Sequence, residues 1–183
     1  MYNLANQLTL MRIALIPLLV VAFYLPFSWK YPLCSGLFIL AGITDWADGF
    51  IARRYQLTTP FGAFLDPVAD KLMVAVALAL LIQAHNSAAF TLPAAVIICR
   101  EIGISALREW MAEAGNRADV AVSMLGKVKT SFQMAAIALL LAFDPTTNLP
   151  MLYIGYATLY SAAILTLWSM VGYLRAAWPS FRK

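Results

Sequence analysis

Four aspartates lie in the stretch Asp45–Asp70, DWADGFIARRYQLTTPFGAFLDPVAD, with apolar runs on either side. Asp45 and Asp48 are three residues apart, and Asp66 and Asp70 are four apart. At about 100° per residue, either spacing puts both carboxylates within roughly 40–60° of one helix face. The connection between the pairs is short, with Pro60 and Gly62 as breakers, so two helix ends can bring the pairs together. Carboxylates at close range repel strongly where the dielectric is low. Shared protons or hard divalent cations relieve that repulsion, and an oxygen-only set with no His or Cys nearby favours magnesium, manganese or calcium. Such ions suit chemistry on a phosphate, because they neutralise its oxygens and the charge that develops on a leaving group. Charge and spacing by themselves also leave open a structural ion network and a cation or proton pathway.

The setting makes these charges costly. The chain of 183 residues is 62% hydrophobic and 12% charged, with a mean hydropathy of +0.77. A soluble domain of this size carries about twice that charge. The expected fold class is an all-α polytopic membrane protein, with residues 1–183 forming a single transmembrane domain without repeats or linkers. A carboxylate inside a bilayer costs at least a few kcal/mol unless it is paired, hydrated or bound to a cation. Residues 1–30 lack the small-residue cleavage site of a secretory signal. Cys34 and Cys99 sit in apolar runs without metal-type spacing and are expected to be buried and inert.

Hydropathy predicts six spans: about Arg12 to Phe27, Leu33 to Arg54, Phe64 to Gln83, Phe90 to Met111, Val122 to Phe143 and Met151 to Leu174. Each suits an apolar layer of about 30 Å. Residues 3–9 are polar and mildly amphipathic, which predicts a short interfacial helix before the first span. Pro67 fits a third helix that starts near Asp66. His85-Asn86-Ser87 reads as a tight turn, and a catalytic role for His85 is not expected. Six spans put both termini on one side. That side collects Arg12, Arg53, Arg54, Lys71, Arg108, Arg117, Lys127, Lys129, Arg175, Arg182 and Lys183, against Lys30 alone in the opposite loops. By the positive-inside bias, both termini and the four aspartates face the cytoplasm. In spans two to five the polar half is always the cytoplasmic one, which implies a shared polar cavity opening to the cytoplasm. A transporter would need polar residues in both halves, and the outer half offers almost none.

A second constellation is basic. Arg100, Arg108, Lys127 and Lys129 are accompanied by Ser105, Ser123 and Thr130. Cations at one end of two spans suit a small anionic ligand, a phosphate in particular. Arg100, next to Glu101, lies deeper and is open to an ion pair or a ligand contact.

The complete spacing is Asp45-x2-Asp48-Gly49-x2-Ala52-Arg53-x8-Gly62-x3-Asp66-x3-Asp70. It resembles the signature of the CDP-alcohol phosphatidyltransferase family in every fixed letter and every gap. The resemblance implies a six-helix transmembrane core, two divalent cations (Mg2+ or Mn2+) and a homodimer. It implies Asp45, Asp48 and Asp66 as metal ligands, with Asp70 as general base and also close to a metal. Gly49, Ala52, Arg53 and Gly62 would form the CDP-diacylglycerol site, the glycines leaving room for the nucleotide and Arg53 lying near its pyrophosphate. The segments NLANQLTLMRIALIP, TDWADGFIARR, REIGISALREW and GKVKTSFQM resemble the bacterial branch whose acceptor is sn-glycerol 3-phosphate. Ser105, Arg108, Lys127 and Lys129 would then hold the acceptor phosphate. Serine, inositol phosphate or phosphatidylglycerol as acceptor would make the chain a sister enzyme, and serine would not demand the basic cluster. Further expectations are a bacterial plasma (inner) membrane location, the lipid bilayer as partner and no nucleic acid.

Overall fold

The structure, a computed structural model, describes residues 4–55, 60–113, 124–147 and 149–178. Its regular elements are α1 (Leu4–Phe23), α2 (Lys30–Tyr55), α3 (Pro60–His85), α4 (Ala88–Glu113), α5 (Met124–Ala142) and α6 (Leu149–Ala177). Each overlaps one expected span. Two of them, α4 over Ala88–Met111 and α6 over Leu149–Arg175, are long and apolar enough to cross a membrane, and Gln7–Phe23 and Val128–Ala142 are shorter apolar helices.

Two boundaries differ from expectation in ways that matter for the site. The polar segment expected to form a separate interfacial helix is, from Leu4 on, the first part of α1, which continues through Arg12 and Pro17 to Phe23. No glycine or proline separates it from the apolar run, so nothing ends the helix there. Helix α3 starts at Pro60 rather than near Asp66, so Pro67 lies inside it. Pro60 has the fixed φ that suits a first turn, whereas Pro67 forfeits one backbone bond, a loss that membrane helices tolerate.

The chain forms two compact units, residues 1–85 with 137–152 and residues 86–136 with 153–183. In the first, α1 packs against α2 and α3. The buried stripe of α1 is Thr9, Arg12, Leu15, Leu19 and Ala22, a three-to-four-residue period that keeps one face inward. Phe38 and Ala41 of α2 and Ala69, Met73 and Ala77 of α3 are buried as well. Alanines at these positions let helix backbones approach closely, which matters where lipid offers no hydrophobic drive between helices. The Ser35 hydroxyl donates to the Ala138 carbonyl at 2.8 Å, and Tyr24 Oη donates to Gln83 Oε1 at 2.5 Å.

In the second unit, Phe90, Ala94 and Ile97 of α4 and Leu159 and Ala162 of α6 are fully buried. The Tyr160 hydroxyl donates to the Ala89 carbonyl at 2.7 Å. The outward faces of both units carry Val21, Ile43, Leu92, Ile164 and Trp168 in exposed positions. An apolar surface of this kind is at home in lipid and a liability in water. Cys34 is buried as expected, but Cys99 is exposed on α4. A small apolar thiol suits a lipid-facing helix surface as well as a core.

The expected turn after α3 is present. Asn86 takes φ 40°, a left-handed conformation that asparagine accepts more readily than most residues. Ser87 then caps α4, its Oγ accepting the Phe90 N–H at 3.3 Å. In the turn before α6, Asp144 Oδ1 accepts the Thr146 hydroxyl at 2.7 Å and the Thr146 N–H at 2.8 Å. These bonds hold the Asp144 carboxyl below its ordinary pKa.

Leu19→Ala opens a gap where α1 meets its neighbours and is expected to cost on the order of 2–3 kcal/mol. Val21→Ala, at a side chain 59% exposed, is expected to leave stability unchanged. Thermal melts of the two variants in the same detergent, followed by circular dichroism, check the contrast.

Candidate active site

The four aspartates are divided between two consecutive helices. Asp45, Asp48 and Gly49 lie in the second half of α2, and Gly62, Asp66 and Asp70 in the first half of α3. Asp48 is buried, Asp45 and Asp66 are half-buried, and Asp70 is exposed. Gly62 is buried and Gly49 half-buried. Ala52 and Arg53 are helical positions of α2 whose side chains lie outside the described residues.

Helix α1 gathers the carboxylates. The Arg12 guanidinium forms ion pairs with both members of the first pair, Nη1 lying 2.6 Å from Asp45 Oδ1 and Nη2 bonding Asp48 Oδ2. One turn earlier on the same stripe, the Thr9 hydroxyl donates to Asp66 Oδ1 at 2.5 Å. Arg12 and Thr9 are each 1% exposed. Two residues of one helix face therefore engage three of the four motif aspartates. Asp70 follows Asp66 by four residues, so it projects from the same face of α3 one turn on.

This donor set suits a hard cation. It consists of carboxylate oxygens, and Asp45 and Asp48 already direct one oxygen each at a common positive group. Among the described residues, no three acidic, histidine or cysteine side chains converge as a ready-made metal cluster. With the guanidinium between them, Asp45 and Asp48 are held on Arg12 while Asp66 is held on Thr9.

The basic constellation belongs to the other compact unit. Lys129 is buried and forms an ion pair with Glu101 Oε1. Arg100 approaches the same oxygen at 3.2 Å, donates to Ser169 Oγ at 2.8 Å and lies over the Tyr173 ring at 5.5 Å. One carboxylate oxygen thus shares two buried cations, tying α4 to α5, while Ser169 and Tyr173 tie α4 to α6. Arg108 is exposed and Ser105 half-buried on α4. Thr130 is exposed on α5, the Lys127 side chain lies outside the described residues, and so does Ser123 altogether.

Sequence reasoning missed Thr9 and Arg12 as site residues, counting Arg12 only toward the positive side of the membrane. The available signal was positional. Thr9, Arg12, Leu15 and Leu19 continue one helical stripe, so an arginine on it faces inward. It also left the partner of Arg100 undecided and did not connect Glu101 with Lys129.

The profile of the CDP-alcohol phosphatidyltransferase family matches residues 2–168. A CDP-diacylglycerol--glycerol-3-phosphate 3-phosphatidyltransferase of Pectobacterium atrosepticum is 58% identical over 176 residues, covering 96% of this chain and 95% of that protein. A protein of the same name from Pseudomonas fluorescens is 54% identical over 181 residues, covering 98% of this chain and 92% of its own length. One from Yersinia pestis is 56% identical over 176 residues, covering 96% and 95%.

Lys129→Met leaves the half-buried Glu101 carboxylate with Arg100 as its partner and removes one of its two cations, which is expected to cost about 1–3 kcal/mol. Adding Glu101→Gln to the same chain is expected to restore part of that stability. Chemical denaturation of both variants in micelles measures the difference.

Proposed function

The chain belongs to the CDP-alcohol phosphatidyltransferase family, and from that premise we propose that it transfers the phosphatidyl group of CDP-diacylglycerol to sn-glycerol 3-phosphate. The products are phosphatidylglycerophosphate and CMP. The observation that carries this function is the motif itself, eight fixed residues with matching gaps whose carboxylates lie in the second half of α2 and the first half of α3.

In this mechanism the 1-hydroxyl of glycerol 3-phosphate attacks the phosphorus that carries diacylglycerol. The bond from that phosphorus to the oxygen of CMP breaks, and CMP leaves. Asp70, exposed on its helix face, accepts the hydroxyl proton as general base. Asp45, Asp48 and Asp66 would hold two divalent cations, Mg2+ or Mn2+, with Asp70 also contributing to the metal site. When bound, these ions neutralise the pyrophosphate and the charge that develops on CMP. Gly49 and Gly62 leave space for the cytidine nucleotide, with Ala52 and Arg53 alongside. Ser105, Arg108, Lys127 and Lys129 bind the acceptor phosphate, and Lys129 must then exchange Glu101 for that phosphate or share itself between them.

All six helices span the bilayer around a polar cavity open to the cytoplasm, and both termini are cytoplasmic. The distribution of Lys and Arg supports that orientation. The protein acts as a homodimer in the bacterial inner membrane. The lipid tails stay in the bilayer while the headgroup reaches the aspartates.

CMP release from CDP-diacylglycerol, measured on purified protein with a panel of acceptors, tests this function. Turnover is expected with glycerol 3-phosphate, to be abolished by chelator and to return with magnesium. Turnover with serine or inositol phosphate instead makes the chain a sister enzyme. Asp70→Asn is expected to lower kcat by about 10²–10⁴-fold; a wild-type rate removes the general-base role. Arg108→Ala is expected to raise KM for glycerol 3-phosphate by roughly tenfold with a smaller change in kcat, read from initial rates.

A further inference from the structure

We propose that Arg12 is a built-in counter-cation of the aspartate site, holding Asp45 and Asp48 together while no metal is bound and yielding their oxygens when a divalent cation arrives. This assignment rests on the reading of those aspartates as metal ligands.

Three observations carry it. Arg12 is on the inward stripe of α1, between Thr9 and Leu15, and is 1% exposed, so it does not reach toward the membrane surface as an arginine near a helix end usually does. Its guanidinium engages the two carboxylates that share one face of α2, and it meets each through a single oxygen, Asp45 Oδ1 and Asp48 Oδ2. The fit is incomplete. Nη2 bonds Asp48, but Nη1 approaches Asp45 off the N–H direction, and neither Nη1 nor Nε makes a hydrogen bond among the described residues. Buried guanidinium donors are ordinarily satisfied, because an unmet donor away from water is costly. The site therefore matches Arg12 in charge but not in donor pattern.

Competition follows from distance. A nitrogen 2.6 Å from Asp45 Oδ1 occupies the approach that a divalent ion needs, since such ions bind carboxylate oxygen at about 2.0–2.6 Å. The guanidinium and the metal cannot both occupy that side of the two oxygens. The long, flexible arginine stem lets the charged end swing away while α1 stays packed through Leu15 and Leu19. Without a resident cation, the metal-free site would place adjacent carboxylates in an apolar bundle with nothing to offset their repulsion. Arg12 thus preserves the site between metal-binding events, at the expense of metal affinity.

The test uses the full chain in detergent, stripped with chelator and dialysed, with Mn2+ as the probe and free Mn2+ counted by electron paramagnetic resonance. Arg12→Gln is expected to bind Mn2+ about tenfold more tightly than wild type, the scale of a typical coupling between two ligands of one site. Its thermal midpoint is expected to fall below wild type in chelator and to recover most of that deficit in saturating Mn2+. Arg12→Lys keeps the charge without the fork, and its affinity is expected to lie between the two. Should Arg12→Gln fail to fold, Arg12→Lys carries the comparison with the same sign. Mn2+ binding equal to or weaker than wild type in the variants overturns the proposal, as does a melting deficit that Mn2+ leaves unchanged. No Mn2+ binding by any of the proteins removes the metal reading and this proposal together, whereas binding by the variants but not by wild type supports both.

Discussion

The first compact unit depends on one electrostatic constraint: carboxylates within an apolar bundle need a positive partner at every stage of the protein's life. Asp45 and Asp48 find it in Arg12, 33 and 36 residues earlier in the chain by numbering. Because that arginine is on the buried stripe of α1, the packing of α1 against α2 and α3 also places a positive charge on Asp45 and Asp48. The same face adds Thr9 on Asp66. Helix α1 is therefore a wall of the site rather than an anchor for the rest of the chain.

The second unit solves the same problem differently. Glu101 shares its Oε1 between Arg100 and Lys129, and Arg100 spends its remaining contacts on Ser169 and Tyr173. Two cations against one carboxylate leave a net positive charge there. A net negative charge remains around Asp45, Asp48 and Asp66, which suits a cation. In both units the buried charged residues stand on helices whose other faces are apolar and exposed, a surface suited to lipid.

Much of this was legible in the sequence because it is local. The carboxylate spacings, the turn at Asn86-Ser87 and the six helices follow from period, breakers and caps within short windows. The identity of the chemistry was legible because eight residues stand at fixed gaps. What escaped was pairing across the chain. Thr9 meets Asp66 at a separation of 57 residues and Lys129 meets Glu101 at 28, and neither spacing has a period to reveal it. The continuity of α1 is hard to read from sequence because its polar start resembles a boundary, although a polar residue on a buried stripe can be a partner for charge. The start of α3 was misplaced because Pro67 was given the role that Pro60 fills. Cys99 was misplaced because an apolar run in a membrane does not say which face meets lipid.

The chemistry requires one particular oxygen to become the new ester link, which isotopic labelling reports directly. The decisive reaction combines the purified protein, CDP-diacylglycerol, magnesium and glycerol 3-phosphate carrying oxygen-18 in its 1-hydroxyl, with the lipid and CMP examined by mass spectrometry. The predicted result is phosphatidylglycerophosphate that retains the label in its phosphodiester, with unlabelled CMP. Phosphatidic acid and CMP with the label left in free glycerol 3-phosphate would mean that water, not the acceptor hydroxyl, attacks, and would contradict the account.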